Sequence, residues 1–348
     1  MIGGVRVGVV IPCYKVTRHI KGVISRIGPE VDAILCVDDA CPEGSGDFIA
    51  AHCSDPRIKV IRNERNRGVG GAMIRGYREA IEMDLDVVIK IDGDGQMDPV
   101  LLGQFADPIV HGLADYTKGN RFYSPEFLEQ MPKVRVFGNA ILSFMTKLSC
   151  GYWDIFDPTN GYTAISARVL RIMNLDRLHE RYFFESDMLF RLNIIRAKVV
   201  DIPMLAKYAD EESGLKISKI IGPFMLGHLK NMAKRIGYNY YLRDFNVASL
   251  ELLSSILLIS FGTVFGLYKW VTESAQGDVA TAGAVMISAL PIIIGVQLLL
   301  AALSYDVSSV PREAIHPNLS NTLHSRRSDQ AHATLLAGHA NPSADQEA

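Results

Sequence analysis

Two carboxylates follow directly on a run of β-forming residues in the segment VVIKIDGDGQMDP. Asp92 and Asp94 are separated by Gly93, and Gln96 adds an amide oxygen two positions further on. Such oxygen ligands suit a hard divalent cation, Mg²⁺ or Mn²⁺, which keeps open positions for substrate phosphates. A glycine beside them lets the backbone come close to a bulky ligand. The segment therefore predicts a site for a metal ion and a phosphate-bearing substrate.

The elements that must position these residues alternate between strand and helix. Apolar, β-forming runs predict strands at residues 6–11, 33–37, 58–61 and 87–91, and helical segments lie between them. Alternation of this kind is typical of a parallel sheet with helices on its faces. We therefore expect an α/β fold with a mainly parallel, Rossmann-like sheet.

Further candidate residues lie where two other predicted strands end. Pro12 and Tyr14 follow the first strand, and Asp39 completes an acidic pair after the second. Ligands of such sheets bind outside the carboxyl ends of the strands. We therefore expect these three residues to converge with Asp92 and Asp94 on one crevice.

Two apolar runs without a charged residue, 252–268 and 279–305, lie towards the C-terminal end. A membrane-spanning helix needs about 20 apolar residues and no fewer than about 17. Both runs are apolar all round rather than on one face, which disfavours a pair of buried helices in a soluble core. We predict spanning helices at about 248–270 and 279–304.

The charges around these runs predict their orientation. The linker 272–278 contains no lysine or arginine, whereas basic residues precede the first run and follow the second. The positive-inside rule places the α/β domain and both termini in the cytoplasm. The chain then divides into four parts: an α/β domain (1–216), an amphipathic juxtamembrane segment (217–246), the two spanning helices (247–305) and a polar, disordered tail (306–348).

Composition excludes several classes of protein. The net charge of −2 argues against a protein that binds nucleic acid. The five cysteines form no CxxC pair and no cluster with histidine, so we expect a reducing environment and no disulfide framework.

Six motifs occur in this order: VVIPCY, CVDDACPEGSGD, NRGVGGAMIRGY, IKIDGDGQMDP, KGNRF and DPTNGYTAIS. In this order and spacing they resemble family 2 glycosyltransferases of the GT-A fold. The resemblance is closest to polyprenyl-phosphate glycosyltransferases, such as dolichyl-phosphate mannose synthases and bacterial undecaprenyl-phosphate glucosyltransferases. It covers about residues 5–219, and the two terminal helices are similar to the bacterial version.

The resemblance implies a function and its partners. A hexose would pass from a nucleotide sugar to a polyprenyl phosphate with inversion, in the presence of Mg²⁺ or Mn²⁺. The protein would be integral to a bacterial-type inner or plasma membrane. The acceptor phosphate is already anionic at neutral pH, because its second pKa is about 6, so no general base is strictly needed.

The resemblance also implies roles at the matching positions. Asp94 and Gln96 would hold the metal, and Arg121 and Arg135 would hold the acceptor phosphate; Asp92 and Asp94, with the two arginines, form the catalytic set. The nucleotide-sugar site would comprise Pro12, Tyr14, Asp39, Asp92, Gly93, Asp94, Gln96 and Asn160, together with Lys207 and Lys216. These two lysines and Lys219 stand where mannose synthases carry an arginine-rich segment, and which of the three contacts the diphosphate stays open.

The sequence leaves more than one possible role for several other residues. Glu185 and Asp187 occur where many relatives place a base or an acceptor contact, but a helix-start cap is an equal alternative. Val16 stands where the family often has an acidic residue. Gly262 and Gly266 form a GxxxG-like face that favours self-association.

Three competing functions deserve comparison. A processive polysaccharide synthase typically carries a Q-x-x-R-W motif, which this sequence lacks. A non-catalytic membrane adaptor would not need the intact Asp92, Asp94 and Arg121. A nucleotidyltransferase would not obviously need a membrane hairpin.

Overall fold

The computed structural model describes residues 4–123, 133–205 and 217–319, without the side chains of 133–135 and 217–221. Within these residues seven strands form one sheet. They are β1 (Val7–Cys13), β2 (Ala33–Asp38), β3 (Ile58–Arg62), β4 (Val87–Lys90), β5 (Tyr116–Asn120), β6 (Thr163–Ser166) and β7 (Val199–Pro203).

The strand order is β3-β2-β1-β4-β6-β5-β7. Strands β1 to β4 pair in parallel with one another, and β5 pairs in parallel with β7. Strand β6 runs antiparallel to both of its neighbours, β4 and β5. The expected α/β fold with a mainly parallel sheet is therefore confirmed.

Helices cover both faces of the sheet and continue into the C-terminal part. They are α1 (Ile20–Ile24), α2 (Ser45–His52), α3 (Gly68–Glu82), α4 (Leu102–Val110), α5 (Lys133–Cys150), α6 (Ala167–Ile172), α7 (Phe184–Ile194), α8 (Ile217–Ile236), α9 (Val247–Gln276) and α10 (Ala282–Ser308). A π-helical stretch, Gly237–Arg243, follows α8.

Two apolar layers form the core, one on each face of the sheet. Along β1, Val9 and Ile11 join the layer under α1 and α4, while Val10 joins the layer under α3 and α7. Strands covered on both faces are apolar throughout, which explains why the sequence of β1 shows no alternation. These layers fix the strands so that the carboxyl ends of all of them except the antiparallel β6 meet at one edge.

Helices α9 and α10 pack against each other as a hairpin. Their most apolar windows have mean hydropathies of 1.9 and 2.4, and only 11% and 6% of those windows are buried. A core helix of a soluble protein would be mostly covered, so these surfaces fit association with a membrane. The expected hairpin is confirmed, although both helices continue several residues beyond the predicted ends.

Small residues bring the two helices of the hairpin close together. A Cβ at Gly262 would lie 2.6 Å from the carbonyl oxygen of Ser288, whose hydroxyl donates to the Gly262 carbonyl at 3.0 Å. Gly266 also faces Ser288. The glycines Gly262 and Gly266 therefore pack against α10 of the same chain, and self-association stays a prediction.

The expectation of a disordered tail from residue 306 is wrong for residues 306–319. Asp306, in the last turn of α10, accepts hydrogen bonds from Arg235 at 2.6 and 3.0 Å and from the Tyr240 hydroxyl at 2.6 Å. The Trp153 indole donates to the same carboxylate at 2.8 Å. These buried contacts fasten the end of the hairpin to the α/β domain through Trp153 and to the juxtamembrane segment through Arg235 and Tyr240. The rest of the expected tail lies outside the described residues.

A second attachment follows the hairpin. The backbone N–H groups of Ile315 and His316 donate to the buried carboxylate of Asp115, at 2.9 and 2.8 Å, just before β5. The His316 ring lies 2.8 Å from the same carboxylate. Burial alone would raise the pKa of Asp115, but these hydrogen bonds lower it below its ordinary value.

Candidate active site

A buried lysine, Lys90, lies at the end of β4 directly beneath the predicted metal site. Its ammonium donates to Asp92 Oδ1 at 2.7 Å and to the Gly161 carbonyl at 3.1 Å, and Glu185 Oε1 lies 3.7 Å away. Burial by itself lowers the pKa of Lys90, but the charges of Asp92 and Glu185 outweigh it and raise the pKa. Lys90 is therefore a charged group that joins two carboxylates.

The turn after Asp92 places the other predicted ligands. Gly95 has a φ of +81°, which favours glycine, and the Gln96 N–H donates to Asp94 Oδ1 at 2.9 Å. Asp94 and Gln96 are both partly exposed on this turn. Their oxygens suit a divalent cation that takes its remaining ligands from substrate phosphates and water.

The protein by itself provides few metal ligands. Across the described ranges, no three His, Cys, Asp or Glu side chains form a cluster that could hold a metal. A closed, all-protein metal site is therefore not formed by these residues. The partly exposed pair Asp94 and Gln96 fits a cation that arrives with a diphosphate.

Close packing explains the glycine at position 93 and the apolar residue at position 16. A Cβ at Gly93 would lie 3.2 Å from the side chains of both Val16 and Ile20. Val16 is buried against this turn. An apolar Val16 therefore supports the turn from below, which accounts for the departure from the family pattern at this position.

The acidic pair after β2 divides into two structural roles. Asp38 accepts from the backbone of Cys41 at 2.8 Å and of Gly46 at 2.6 Å, which fixes the start of α2. Asp39 accepts from the backbone of Gly68 at 2.7 Å and from Asn63 Nδ2 at 2.8 Å. The Asp38 carboxylate thus stabilises the turn that leads into α2.

The predicted nucleoside residues lie at the carboxyl edge of the sheet. Pro12 is half-buried within β1, and Tyr14 just beyond it is exposed. Asp39 is buried, and both of its oxygens accept hydrogen bonds from the N-terminal turn of α3. A nucleoside contact by these three residues stays a prediction.

Arg121, immediately after β5, is held by a carboxylate that the motif analysis did not single out. Its guanidinium donates twice to Asp157, from Nε to Oδ2 at 2.7 Å and from Nη2 to Oδ1 at 2.9 Å. Asp157 is only 1% exposed, so the pair is well shielded from water. A planar, bidentate contact of this kind fixes the orientation of the guanidinium.

The loop containing Asn160 and Gly161 packs directly against the carboxylate end of β4. A Cβ at Gly161 would lie 2.7 Å from Asp92 Oδ2. The Asn160 carbonyl accepts from the ammonium of Lys118, which is fully buried on β5. Burial lowers the pKa of Lys118 to about 8. The loop therefore belongs to the same crevice as Asp92, and a contact of Asn160 with the sugar nucleotide stays a prediction.

Glu185 and Asp187 point in different directions from the start of α7. Glu185 faces Lys90 in the crevice, whereas Asp187 accepts from Arg191 Nε at 2.9 Å and from Asn231 Nδ2 at 3.1 Å. Asp187 also accepts from the backbone of His179 at 3.0 Å. The two alternatives therefore separate: Asp187 has a structural role, and Glu185 belongs to the crevice.

Three predicted site residues fall wholly or partly outside the described residues. Lys207 and Lys216 are not described, so their proximity to the crevice stays a prediction. Arg135 lies on α5, but its side chain is not described. Lys90, Lys118 and Asp157 lie within three of the six motifs, but no role was predicted for them. A lysine in the apolar run VVIK is a signal that could have pointed to Lys90.

Comparisons with known proteins fit this arrangement. The family model described as Glycosyl transferase family 2 matches residues 8–172. An undecaprenyl-phosphate mannosyltransferase of Micrococcus luteus is 30% identical over 204 residues, which cover 57% of this chain and 82% of that protein. A UDP-N-acetylglucosamine–dolichyl-phosphate N-acetylglucosaminyltransferase of Methanococcus voltae is 26% identical and covers 61% of this chain and 90% of that protein.

Two further comparisons extend the similarity. A dolichol-phosphate mannosyltransferase of Pyrococcus furiosus is 27% identical over 292 residues, which cover 82% of this chain and 78% of that protein. A crystal structure of glucosyl-3-phosphoglycerate synthase from Mycobacterium tuberculosis superposes with a TM-score of 0.51 and 17% identity. It covers 67% of this chain and 81% of the other, which shows a common fold.

Proposed function

Because this glycosyltransferase belongs to glycosyl transferase family 2, we propose that it transfers a hexose from a nucleotide sugar to a polyprenyl phosphate. The product would be a lipid-linked sugar. The names of the relatives, which act on undecaprenyl and dolichyl phosphates, support this acceptor class.

One observation carries the proposal of a lipid acceptor. The apolar hairpin is fastened to the α/β domain by the contact of Asp306 with Trp153, and to the juxtamembrane segment by its contacts with Arg235 and Tyr240. A catalytic crevice attached in this way stays next to the surface that contains its lipid. A soluble acceptor would give no reason for two long apolar helices.

The side chains of the crevice suit a reaction between two anions. The acceptor phosphate needs no deprotonation at neutral pH, so positive charge and orientation matter more than a base. Arg121, aligned by Asp157, would hold this phosphate with charge-assisted hydrogen bonds, and Arg135 on α5 would assist it. The phosphate oxygen attacks the anomeric carbon, the bond to the donor diphosphate breaks, and the configuration inverts.

The donor would lie along the carboxyl edge of the sheet. Asp92 would border the diphosphate, and Lys90 keeps the Asp92 carboxylate in place. Asp94 and Gln96 would hold a Mg²⁺ or Mn²⁺ ion, which supplies Lewis-acid neutralisation of the leaving diphosphate when bound.

The remaining donor contacts follow from the resemblance. Pro12, Tyr14 and Asp39 would contact the nucleoside of the donor. Gly93 and Asn160 would lie next to its sugar and diphosphate. Lys207 or Lys216 would contact that diphosphate.

The charge pattern supports a cytoplasmic orientation for the catalytic domain and both termini. The proposed reaction then takes place on the cytoplasmic leaflet of a bacterial-type inner or plasma membrane.

The test is a transfer assay with detergent-purified, full-length protein. The protein is incubated with Mn²⁺ or Mg²⁺, polyprenyl phosphate and a panel of labelled sugar nucleotides, and label in the organic phase is counted. We expect one donor to give transfer, and Asp94→Asn to abolish it while the protein keeps its melting temperature. Nucleotide binding without transfer from any donor would instead favour a non-catalytic adaptor. Full turnover by Asp94→Asn would refute the metal assignment.

A further inference from the structure

A cavity of about 540 Å³ lies between the segment 176–183, α7 and α8. Asp187 and Asn231 line it, and both are buried. Glu185 and Asp187 lie two positions apart on α7, which turns their side chains to opposite sides of the helix. The cavity is therefore separate from the crevice that contains Lys90 and Asp92.

The acidic residues of this cavity already have partners. Asp176 is ion-paired with Arg78, Glu180 with Arg67, and Asp187 with Arg191 at 2.9 Å. Of these three arginines only Arg191 lines the cavity itself. The negative charges of the lining are thus compensated within the protein.

Four cations of the lining remain available. Arg177, Arg181, Lys230 and Lys234 line the cavity and are exposed, and none of them forms an ion pair within the described part of the chain. Four such charges around a volume of this size suit a multiply hydrogen-bonded anion such as a phosphate.

The position of the cavity favours a lipid over a free anion. Leu226 and Leu229, on the same helix as the two lysines, are 67% and 51% exposed. Exposed apolar and basic residues on one helix are typical of an interfacial helix that meets anionic lipids. Helix α8 also leads, within a short π-helical stretch, to the start of the hairpin at Val247.

We propose that this cavity binds the phosphate headgroup of an anionic membrane phospholipid. Arg177 and Arg181 approach the headgroup from one wall, and Lys230 and Lys234 approach it from α8. The acyl chains then lie beside the exposed leucines of α8. This site is additional to the proposed acceptor site at Arg121 and does not depend on the reaction proposed above.

The bound lipid would also affect the part of the protein that is proposed to bind the sugar nucleotide. The segment 176–183 supplies the carbonyl of Glu180, which accepts from the Gly71 N–H at 2.9 Å in the first turn of α3. Gly70 packs against the backbone of His179 and Glu180. A headgroup that holds this segment therefore also stabilises the start of α3, where backbone N–H groups donate to Asp39.

The test measures lipid retention by native mass spectrometry of the full-length protein in detergent. Dioleoyl-phosphatidylglycerol and dioleoyl-phosphatidylcholine are added separately to wild type, to Lys230→Gln/Lys234→Gln and to Arg177→Gln/Arg181→Gln. The matched control is Lys21→Gln/Arg62→Gln, which removes two exposed cations outside the cavity. Melting temperatures verify that each variant is folded.

We expect wild type to retain one phosphatidylglycerol in preference to phosphatidylcholine. Each cavity variant should bind it roughly 30-fold more weakly, since each basic residue near an anionic surface contributes about 1 kcal/mol. The control should bind it like wild type. Equal retention of phosphatidylglycerol by wild type and both cavity variants would overturn the proposal.

Two further arms distinguish other ligands. Excess inorganic phosphate should leave the bound phosphatidylglycerol in place, and its displacement would indicate a free-anion site instead. The KM for polyprenyl phosphate should be unchanged in Lys230→Gln/Lys234→Gln. A raised KM would assign the cavity to the acceptor and would overturn the phospholipid proposal. Lipid retention is measured without turnover. Retention of phosphatidylglycerol can therefore be tested even if the protein does not catalyse the proposed sugar transfer.

Discussion

Replacement of Lys90 by methionine tests whether a buried ammonium organises the crevice. Methionine has nearly the volume of lysine, so Lys90→Met removes the charge while it keeps the packing beneath Asp92. Lys90 Nζ lies 2.7 Å from Asp92 and 3.7 Å from Glu185, and its side chain is 1% exposed. The substitution therefore leaves two neighbouring carboxylates without their shared cation.

The magnitude follows from the burial of the partners. Removal of one member of a fully buried pair costs about 3–5 kcal/mol. Asp92 and Glu185 retain 30% and 15% exposure, so water replaces part of the lost interaction. We expect a loss of about 2 kcal/mol in the free energy of unfolding.

The effect on catalysis should exceed the effect on stability. Repulsion between Asp92 and Glu185 would move the Asp92 carboxylate, and a displacement of about 1 Å can reduce a rate roughly 100-fold. We expect kcat/KM for the donor to fall by about this factor, with an unchanged KM for the acceptor. The matched control is Lys21→Met, an exposed lysine on α1, which should alter neither quantity.

The assays are organic-phase label transfer and thermal unfolding of the same preparations. Lys90→Met with wild-type kcat/KM and an unchanged melting temperature would refute the organising role of Lys90. A large loss of stability without any change in the donor kcat/KM of the folded fraction would show that Lys90 is structural only.

Further predictions concern other parts of the crevice. Arg121→Lys should raise the acceptor KM roughly 10- to 100-fold with little effect on the donor KM, because the bidentate contact with Asp157 is lost. Asp157→Asn should also raise the acceptor KM. Equal effects on the KM values of both substrates would argue against a role of Arg121 in acceptor binding. Gly161→Ala should weaken donor binding, since the new Cβ would lie 2.7 Å from Asp92 Oδ2; donor titration measures it, and wild-type affinity would contradict it. Lys118 has a pKa of about 8, below its unfolded value, so the folded state loses this proton first and stability should rise between about pH 8 and 10. Lys118→Met should flatten that rise in thermal unfolding, and an identical slope in both proteins would contradict the assignment.

Local features could be predicted from the sequence more accurately than contacts between distant segments. The four early strands and the residues at their carboxyl ends were predictable, because apolar runs and acidic turn residues are adjacent in the chain. The insertion of β6 between β4 and β5 was not, since strand order depends on packing across the whole sheet. The ion pair between Arg121 and Asp157 likewise joins two separate motifs, and the local sequence of neither motif predicts the contact.

The same reason explains why the contacts of the C-terminal residues could not be predicted. A GxxxG-like pattern shows that a helix can pack closely, but it does not show which helix it meets, and Gly262 meets α10 of its own chain. The segment 306–319 has the polar composition of a tail, yet Asp115 and Asp306 provide partners that no local pattern reveals.

Two attachments, one before the hairpin and one after it, restrict how the catalytic domain can move. Helix α8 packs on α5 and α7 ahead of the hairpin, and the chain that leaves α10 returns to Asp115 at β5. A domain on a single tether can swivel, whereas a domain held at both ends of its anchor keeps one face towards the bilayer. With the proposed membrane orientation, the crevice would stay at a constant height above the bilayer, and the encounter with a lipid would become a search in two dimensions. Lateral diffusion brings the acceptor to an opening whose direction does not change.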